Sequence, residues 1–173
     1  MIYYNSQELS AMLEINISKW KRWVREFLPP DALGGFQSGY ARQFTLKEAF
    51  RVFLGGILVS SLKYTVPEAR RILDDLHSWL KAEGFYALRV PDPNQLHSSF
   101  RIYIYPLPSQ KFGYTIRSIL SAQSENKAAQ IERYSAVVLA AARDRIASGE
   151  ASTARVLGIS KLYEYFTTRL TSS

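Results

Sequence analysis

The sequence contains no cysteine and only two histidines, His77 and His97. The absence of cysteine excludes disulfides, thiolate metal sites and cysteine nucleophiles, and it fits a reducing compartment. Two histidines cannot build a multi-histidine zinc or iron centre. No serine elbow accompanies either histidine, and Asp74 and Asp75 near His77 are expected on different faces of their helix, so we expect no cofactor and no enzymatic activity.

Long apolar runs are also absent. The longest, 52–59, is interrupted by two glycines and is far shorter than the roughly 20 residues that a membrane-spanning helix requires. The first residues lack the basic segment and the apolar core of a secretory signal. These absences predict a soluble, cytoplasmic protein with no membrane partner.

Positive charge exceeds negative charge in this chain. Its 173 residues include 22 lysines and arginines against 15 aspartates and glutamates, for a formal net charge of +7. A basic balance of this kind indicates polyanionic partners, nucleic acid among them. Hydrophobic residues make up 47% of the sequence, an ordinary value for a globular protein, so the length predicts one folded domain or two small ones.

Capping residues and apolar periodicity predict four helices in the first half of the chain. They run from Asn5 or Ser6 to Leu13, from Asn16 or Ser18 to Phe27, from Thr45 to about Leu62, and from Thr65 to Gly84. The third carries Gly55 and Gly56 in its middle, where each glycine costs about 1 kcal/mol relative to alanine. Either close packing against another helix or a kink would explain this pair.

The second half is expected to contain a small antiparallel sheet. Residues 100–105 alternate as a strand does, with Phe100, Ile102 and Ile104 on one face, and residues 112–120 predict its partner strand. The aromatic residues of these strands either form the core of the sheet, which we favour, or line a pocket for an apolar effector. They are Phe100, Tyr103, Tyr105, Phe112 and Tyr114.

Helices are expected to follow this sheet. An alanine-rich segment, 124–147, predicts a long helix whose small apolar side either covers the sheet or packs against a second copy in a homodimer. A last helical pattern covers 156–170. The fold class is therefore α+β, with an N-terminal domain at 1–84 and a C-terminal domain at 85–173.

The second helix is the most informative segment. Its apolar residues Trp20, Trp23, Val24 and Phe27 recur at i, i+3, i+4 and i+7, which predicts one buried face. The segment from Asn16 to Arg25 contains four basic residues and no acidic residue, for a local charge of +4. A short helix with a basic outer surface is what reading the major groove requires, although such a surface is also compatible with ordinary solvation.

These residues resemble the mercury-resistance-regulator (MerR) type of winged-helix DNA-binding domain, over residues 3–80. The similarity is carried by Glu8-Leu9-Ser10, Leu13-Glu14-Ile15-Asn16, Lys19-Trp20-Lys21-Arg22-Trp23, Leu28, Gly39-Tyr40-Ala41-Arg42-Gln43-Phe44 and Tyr64-Thr65-Val66-Pro67-Glu68-Ala69. Glu14 stands where the family has a turn glycine. The family's long dimer helix does not follow residue 80, so its dimer geometry and effector domain are not implied.

The resemblance implies a helix-turn-helix followed by a wing, with the second helix in the major groove and the 34–43 loop on the flanking backbone. Two further candidates do not come from the resemblance: Arg25 lies on the basic face of the helix, and Gln43 belongs to the polar loop. By resemblance the contacts are Ser18, Lys19, Lys21, Arg22, Trp23, Tyr40 and Arg42, and the two additions are Arg25 and Gln43.

We therefore predict a sequence-specific binder of double-stranded DNA that acts as a transcriptional regulator and a homodimer. Two alternatives stay open: an architectural protein of a mobile element, of the excisionase or packaging type, and an adaptor whose basic helix docks on an acidic protein. The stretch 153–163 echoes residues 13–15 and suggests either a second DNA-contacting unit or, as we favour, a helix pair for packing or dimerisation.

Overall fold

The computed structural model describes residues 3–31, 41–87, 97–121, 133–139 and 153–171 of the chain. The chain divides into two compact units, one comprising Met1–Arg89 with Tyr165–Ser173 and the other Val90–Glu164. The first segment of the first unit ends at Arg89, five residues after the domain boundary predicted at residue 84. The last residues of the chain, which the sequence-based division places in the second half, belong to the first unit.

Four helices of the first unit begin at capping residues that the sequence predicts. They are α1 (Ser6–Met12), α2 (Ile17–Phe27), α3 (Leu46–Ser60) and α4 (Val66–Ala82). The side chain of each N-cap residue accepts a hydrogen bond from a backbone N–H of the first turn, which satisfies a group that the helix itself leaves without a partner. These N-caps are Asn5, Asn16, Thr45 and Thr65.

The core of the first unit is aromatic. Strands β1 (Tyr4–Asn5) and β2 (Gln43–Phe44) pair in an antiparallel ladder, and the ring of Phe44 contacts that of Trp20 edge to face. The end of a further helix, α5 (Ile159–Thr171), contributes Phe166, whose ring centroid lies 5.0 Å from that of Phe50. Residues from both ends of the sequence therefore build one core.

The second unit contains an antiparallel sheet of four strands. They are β3 (His97–Leu107), β4 (Lys111–Ser121), β5 (Arg133–Leu139) and β6 (Arg155–Leu157), and their order in the sheet is β5-β4-β3-β6. Ile102 pairs with Ile116 on one side and Leu157 on the other, and all three are buried. The predicted alternation and the antiparallel pairing of the first two strands are confirmed, and the chain is α+β.

The predicted helix over 124–147 is wrong where the structure describes it. Residues 133–139 form β5, which pairs with β4 along its whole length. Strand pairing with a partner outweighs the helical preference of an alanine-rich segment, because propensity is a weak determinant beside tertiary pairing. The other residues of 124–147 lie outside the described part of the chain, and the homodimer stays a prediction.

The end of the chain corrects two further expectations. Residues 155–157 form β6 rather than the start of the predicted helix, and α5 begins at Ile159. Since a helix-turn-helix needs a helix before its turn, the strand over 155–157 removes the basis for a second DNA-contacting unit. Within the described residues, no helix has the length and apolar character needed to cross a bilayer.

Candidate nucleic-acid interface

The inner face of α2 lies directly against the glycine pair of α3. A Cβ atom added at Gly56 would lie 2.2 Å from the Trp23 ring, and one added at Gly55 would lie 2.5 Å from the Phe27 ring. The rings therefore occupy the space that side chains at these positions would fill. Close packing between α2 and α3 explains the pair, and it fixes which face of α2 turns outward.

The outward face of α2 carries a set of residues that we call the outer stripe. Its members repeat the i, i+3, i+4, i+7 spacing of the buried face but are displaced by two positions, which places them on the opposite side of the helix. All four are exposed. They are Ser18, Lys21, Arg22 and Arg25.

The basic members of the outer stripe make no ion pair with any carboxylate of the described residues. Arginines on neighbouring elements of the first unit behave differently, since four of them contact a carboxylate. These pairs are Arg42–Glu48 at 3.7 Å, Arg51–Asp74 at 2.7 Å, Arg70–Glu26 at 2.8 Å and Arg169–Glu14 at 2.6 Å. Three basic side chains without a carboxylate partner among the described residues therefore lie together on one side of α2.

The C-terminal end of α2 is held by arginines of other elements. Arg70 donates to the Glu26 carbonyl at 2.5 Å, and Arg51 donates to the Phe27 carbonyl at 3.1 Å. Carbonyls in the last turn of a helix have no partner within the helix, and they carry partial negative charge, so guanidinium groups are well suited to them. These contacts come from α3 and α4, and they fix the end of α2 against the two helices.

The N-terminal end of α2 follows a tight turn from α1. Glu14 in this turn has a φ of 54°, a left-handed conformation that glycine adopts at little cost. Its carboxylate pairs with Arg169, and the Tyr165 hydroxyl donates to the Leu13 carbonyl at 3.2 Å. Asn16 then accepts from the first N–H groups of α2. Four residues, 13–16, therefore connect α1 and α2, a spacing typical of a helix-turn-helix.

Two of the predicted contact residues on α2 lie away from the outer stripe. Lys19 lies at its edge, with its ammonium 5.0 Å from the centroid of the Trp23 ring. Trp23 itself is only 4% exposed, and its indole nitrogen is buried without a hydrogen-bond partner among the described residues. Trp23 therefore anchors the helix and cannot donate to a phosphate from this position, which corrects its assignment as a DNA contact.

The predicted wing contributes less to the described surface. Tyr40 and most of the 34–43 loop lie outside the described residues. Arg42 donates to the Pro29 carbonyl at 2.9 Å and lies over the Phe44 ring, so its guanidinium already has partners within the chain. Gln43 is exposed within β2.

Sequence reasoning missed the residues that hold α2 in place from a distance. Arg51 and Arg70 resemble, on their own helices, ordinary exposed basic residues, and their carbonyl partners are 24 and 44 positions away. No local pattern signals such a contact. The glycine pair indicates close helix packing from the sequence alone, but the sequence does not tell which residues pack against it, and these are Trp23 and Phe27.

Comparison of the chain with protein-family models matches none of them, and comparison with curated proteins likewise gives no match.

Proposed function

We propose that this protein binds double-stranded DNA in a sequence-specific way, through the outer stripe of α2, and acts as a transcriptional regulator. The observation that carries the proposal is the contrast in charge pairing. Arginines on neighbouring elements contact carboxylates, whereas the three basic residues of the outer stripe have none among the described residues. A surface of this kind attracts the phosphates of a duplex.

The geometry of α2 supports major-groove binding. The helix has 11 residues, so it is roughly 16 Å long at 1.5 Å per residue, and one helix fits into the groove. Contacts at both ends and the packing of Trp23 and Phe27 on α3 hold it rigidly. A rigid helix presents its side chains to base edges with little loss of conformational entropy on binding.

The backbone at Glu14, which stands where the MerR-type domain has a turn glycine, supports the resemblance. Glu14 takes the left-handed conformation that the family's turn glycine would adopt without strain. Within this proposal, Ser18, Lys19 and Arg22 contact base edges, since the N-terminal part of a recognition helix faces the bases, and Lys21 and Arg25 contact phosphates. By the resemblance, Tyr40 and Gln43 of the wing contact the flanking backbone, whereas the guanidinium of Arg42 keeps its partners Pro29 and Glu48 within the chain.

The test begins with selection of bound duplexes from a random pool by the full chain. Fluorescence anisotropy then compares the parent with an Arg22→Ala/Arg25→Ala variant on the selected duplex. We expect the variant to lose at least about tenfold in affinity, because a good contact to a base edge contributes roughly 1–3 kcal/mol. The slope of log affinity against log salt should also become less negative, by about 0.9 for each phosphate that the variant no longer neutralises.

A matched control removes the same charge elsewhere. Lys81 and Lys161 are exposed and form no ion pair with a carboxylate of the described residues, so Lys81→Ala/Lys161→Ala should bind the selected duplex about as tightly as the parent. Equal affinity of the parent and the α2 variant would contradict the proposal. So would a selection that enriches no sequence.

The same measurements distinguish the alternatives. An architectural protein would show regularly spaced sites and strong bending of the duplex. An adaptor for an acidic protein would show no duplex affinity that falls steeply with salt.

A further inference from the structure

Two exposed arginines and a half-buried tyrosine of the second unit lie on the sheet face opposite to its buried isoleucines. Arg101 pairs directly with Arg117 across β3 and β4, and the next pair on the same face is Tyr103 with Thr115. Both arginines are exposed, and neither has a carboxylate partner among the described residues. We call this set of four residues the sheet-face site.

Two like charges directly opposite each other destabilise an antiparallel sheet, because their Cβ atoms are only about 4.5–5.5 Å apart. A carboxylate beside them would remove this cost, and none of the described residues supplies one. An anion bound between the two guanidinium groups would remove it as well. Phosphate is the anion that suits paired arginines best, since each guanidinium offers it two parallel N–H donors.

A stacked pair lies beside this anion position. The Arg117 guanidinium carbon is 4.7 Å from the centroid of the Tyr103 ring. Guanidinium planes and tyrosine rings are the surfaces on which nucleobases stack. Val156 pairs with Tyr103 from the other neighbouring strand and is 42% exposed, which adds an apolar edge to the same surface.

Two buried hydroxyls lie on the same face of the sheet. Tyr105 is 6% exposed and Thr115 is 8% exposed, and neither hydroxyl has a hydrogen-bond partner among the described residues. Burial raises the pKa of Tyr105, and the positive charge of Arg117 acts in the opposite direction. A buried hydroxyl without a partner costs free energy that a ligand oxygen would recover.

We propose that the sheet-face site binds a nucleotide, with its phosphate between Arg101 and Arg117 and its base stacked on the Arg117–Tyr103 pair. The nucleotide is either free or part of a single strand, since both offer the same phosphate and ring. This site lies on a different unit from the outer stripe of α2, and it goes beyond the proposed duplex binding.

The experiment measures binding of three probes to the full chain: a fluorescein-labelled oligothymidylate of about twelve nucleotides, thymidine monophosphate and inorganic phosphate. Anisotropy follows the labelled strand, and the other two probes compete with it. The measurements are made on an Arg22→Ala/Arg25→Ala background, so that binding at α2 does not contribute. If this variant binds oligothymidylate as tightly as the parent does, the sheet-face site acts independently of the proposed duplex binding at α2.

The expected result is a loss of at least about tenfold in oligothymidylate affinity for Arg101→Gln/Arg117→Gln, because two phosphate-binding groups are removed. Tyr103→Leu should lose about fivefold or more, whereas Tyr103→Phe keeps the ring and should bind like the parent. The control is Arg155→Gln, an exposed arginine of β6 that pairs with Ile104 and so belongs to the opposite face. It should change the affinity less than about twofold.

Competition by thymidine monophosphate assigns the site to free nucleotides as well as strands, and a lack of competition assigns it to strands alone. The proposal is overturned if inorganic phosphate displaces the labelled strand at the same concentration as thymidine monophosphate does, because the base would then contribute nothing to binding. It is also overturned if the double arginine variant binds like the parent, or if Arg155→Gln loses as much.

Discussion

Gly55 and Gly56 are the residues that set the distance between α2 and α3. An alanine at either position would gain about 1 kcal/mol of helix propensity, but its methyl group would lie 2.2–2.5 Å from a buried ring. Overpacking a core costs about 1–3 kcal/mol or more, so it outweighs the gain. We expect Gly56→Ala to lower the free energy of unfolding by about 1–2 kcal/mol in urea denaturation.

Gly158 provides the control for this prediction, because nothing lies within 4 Å of a Cβ added there. Gly158→Ala makes the same chemical change without displacing a ring, and it should lower the free energy of unfolding by less than about 1 kcal/mol, because the remaining cost is that alanine caps the start of α5 less well than glycine does. If Gly56→Ala proves as stable as the parent, then α2 is not packed against α3 as closely as the ring positions indicate.

His77 has an environment that disfavours its charged form. Burial lowers its pKa below 6.5, and the positive charges of Lys47, Arg51 and Lys81 lower it further, while Asp74 acts in the opposite direction. The unfolded chain therefore binds this proton more readily than the folded chain. Stability is present above the unfolded pKa and is lost as the pH falls from about 6.5 towards the lower pKa of the folded state.

The measurement is a pair of urea titrations at about pH 7.5 and about pH 5.5, on the parent and on His77→Asn. We expect the parent to lose more of its free energy of unfolding than the variant does between these two values. The difference between the proteins isolates His77, because the two proteins differ at this residue alone. An equal loss would show that the pKa of His77 is the same in the folded and unfolded chains.

At the scale of single elements, the end of α2 depends on arginines from its neighbours. Arg51 donates to the Phe27 carbonyl and pairs with Asp74, and its side chain is 20% exposed. Replacing it with methionine keeps the apolar part of the side chain and removes the donor. We expect Arg51→Met to lower the free energy of unfolding by about 1.5–3 kcal/mol, the usual contribution of a hydrogen bond that involves a charged group.

Lys81→Met serves as the comparison, because Lys81 is exposed at the end of α4 and forms no ion pair within the described part of the chain. Its effect on thermal unfolding should be small. An Arg51→Met protein that melts with the parent would mean that water replaces the guanidinium at the Phe27 carbonyl without loss.

The helices of the first unit were predictable because their signals are local. Asn16 caps α2, and the aromatic residues of α2 recur at helical spacing, so its limits and its buried face both follow from a few neighbouring residues. Residues 133–139 show the opposite case. Their alanine-rich surroundings predict a helix, but their structure is decided by pairing with β4, which the local composition does not contain.

The candidate site was predictable only in part for the same reason. The outer stripe follows from helical spacing, once the buried face is known. The burial of the Trp23 indole depends on its packing against Gly56, and the capping of the Glu26 carbonyl by Arg70 spans 44 positions. Contacts of this kind are decided by how the helices pack, so the resemblance alone assigned Trp23 to the wrong side of the proposed interface.

At the scale of the whole molecule, the end of the chain completes the core of the first unit. Phe166 is fully buried, and its ring lies 5.0 Å from that of Phe50 and 5.5 Å from that of Phe53, centroid to centroid. The same segment reaches the turn before α2, since the Tyr165 hydroxyl donates to the Leu13 carbonyl 152 positions away. Positioning of the proposed DNA-binding helix therefore depends on residues at the far end of the sequence.

Phe166→Ala tests this dependence. The cavity it leaves between Phe50 and Phe53 should lower the free energy of unfolding by about 3–5 kcal/mol, a large part of the stability of a small unit. Tyr3→Ala removes an aromatic ring that is 52% exposed, and should cost far less.

Because α2 and its turn belong to the same core, duplex affinity should be lost at the temperature at which the first unit unfolds. This temperature should be lower for Phe166→Ala than for the parent. If Phe166→Ala unfolds only the sheet, as judged by loss of strand signal with an unchanged near-ultraviolet tryptophan spectrum, the end of the chain supports the second unit instead of the first.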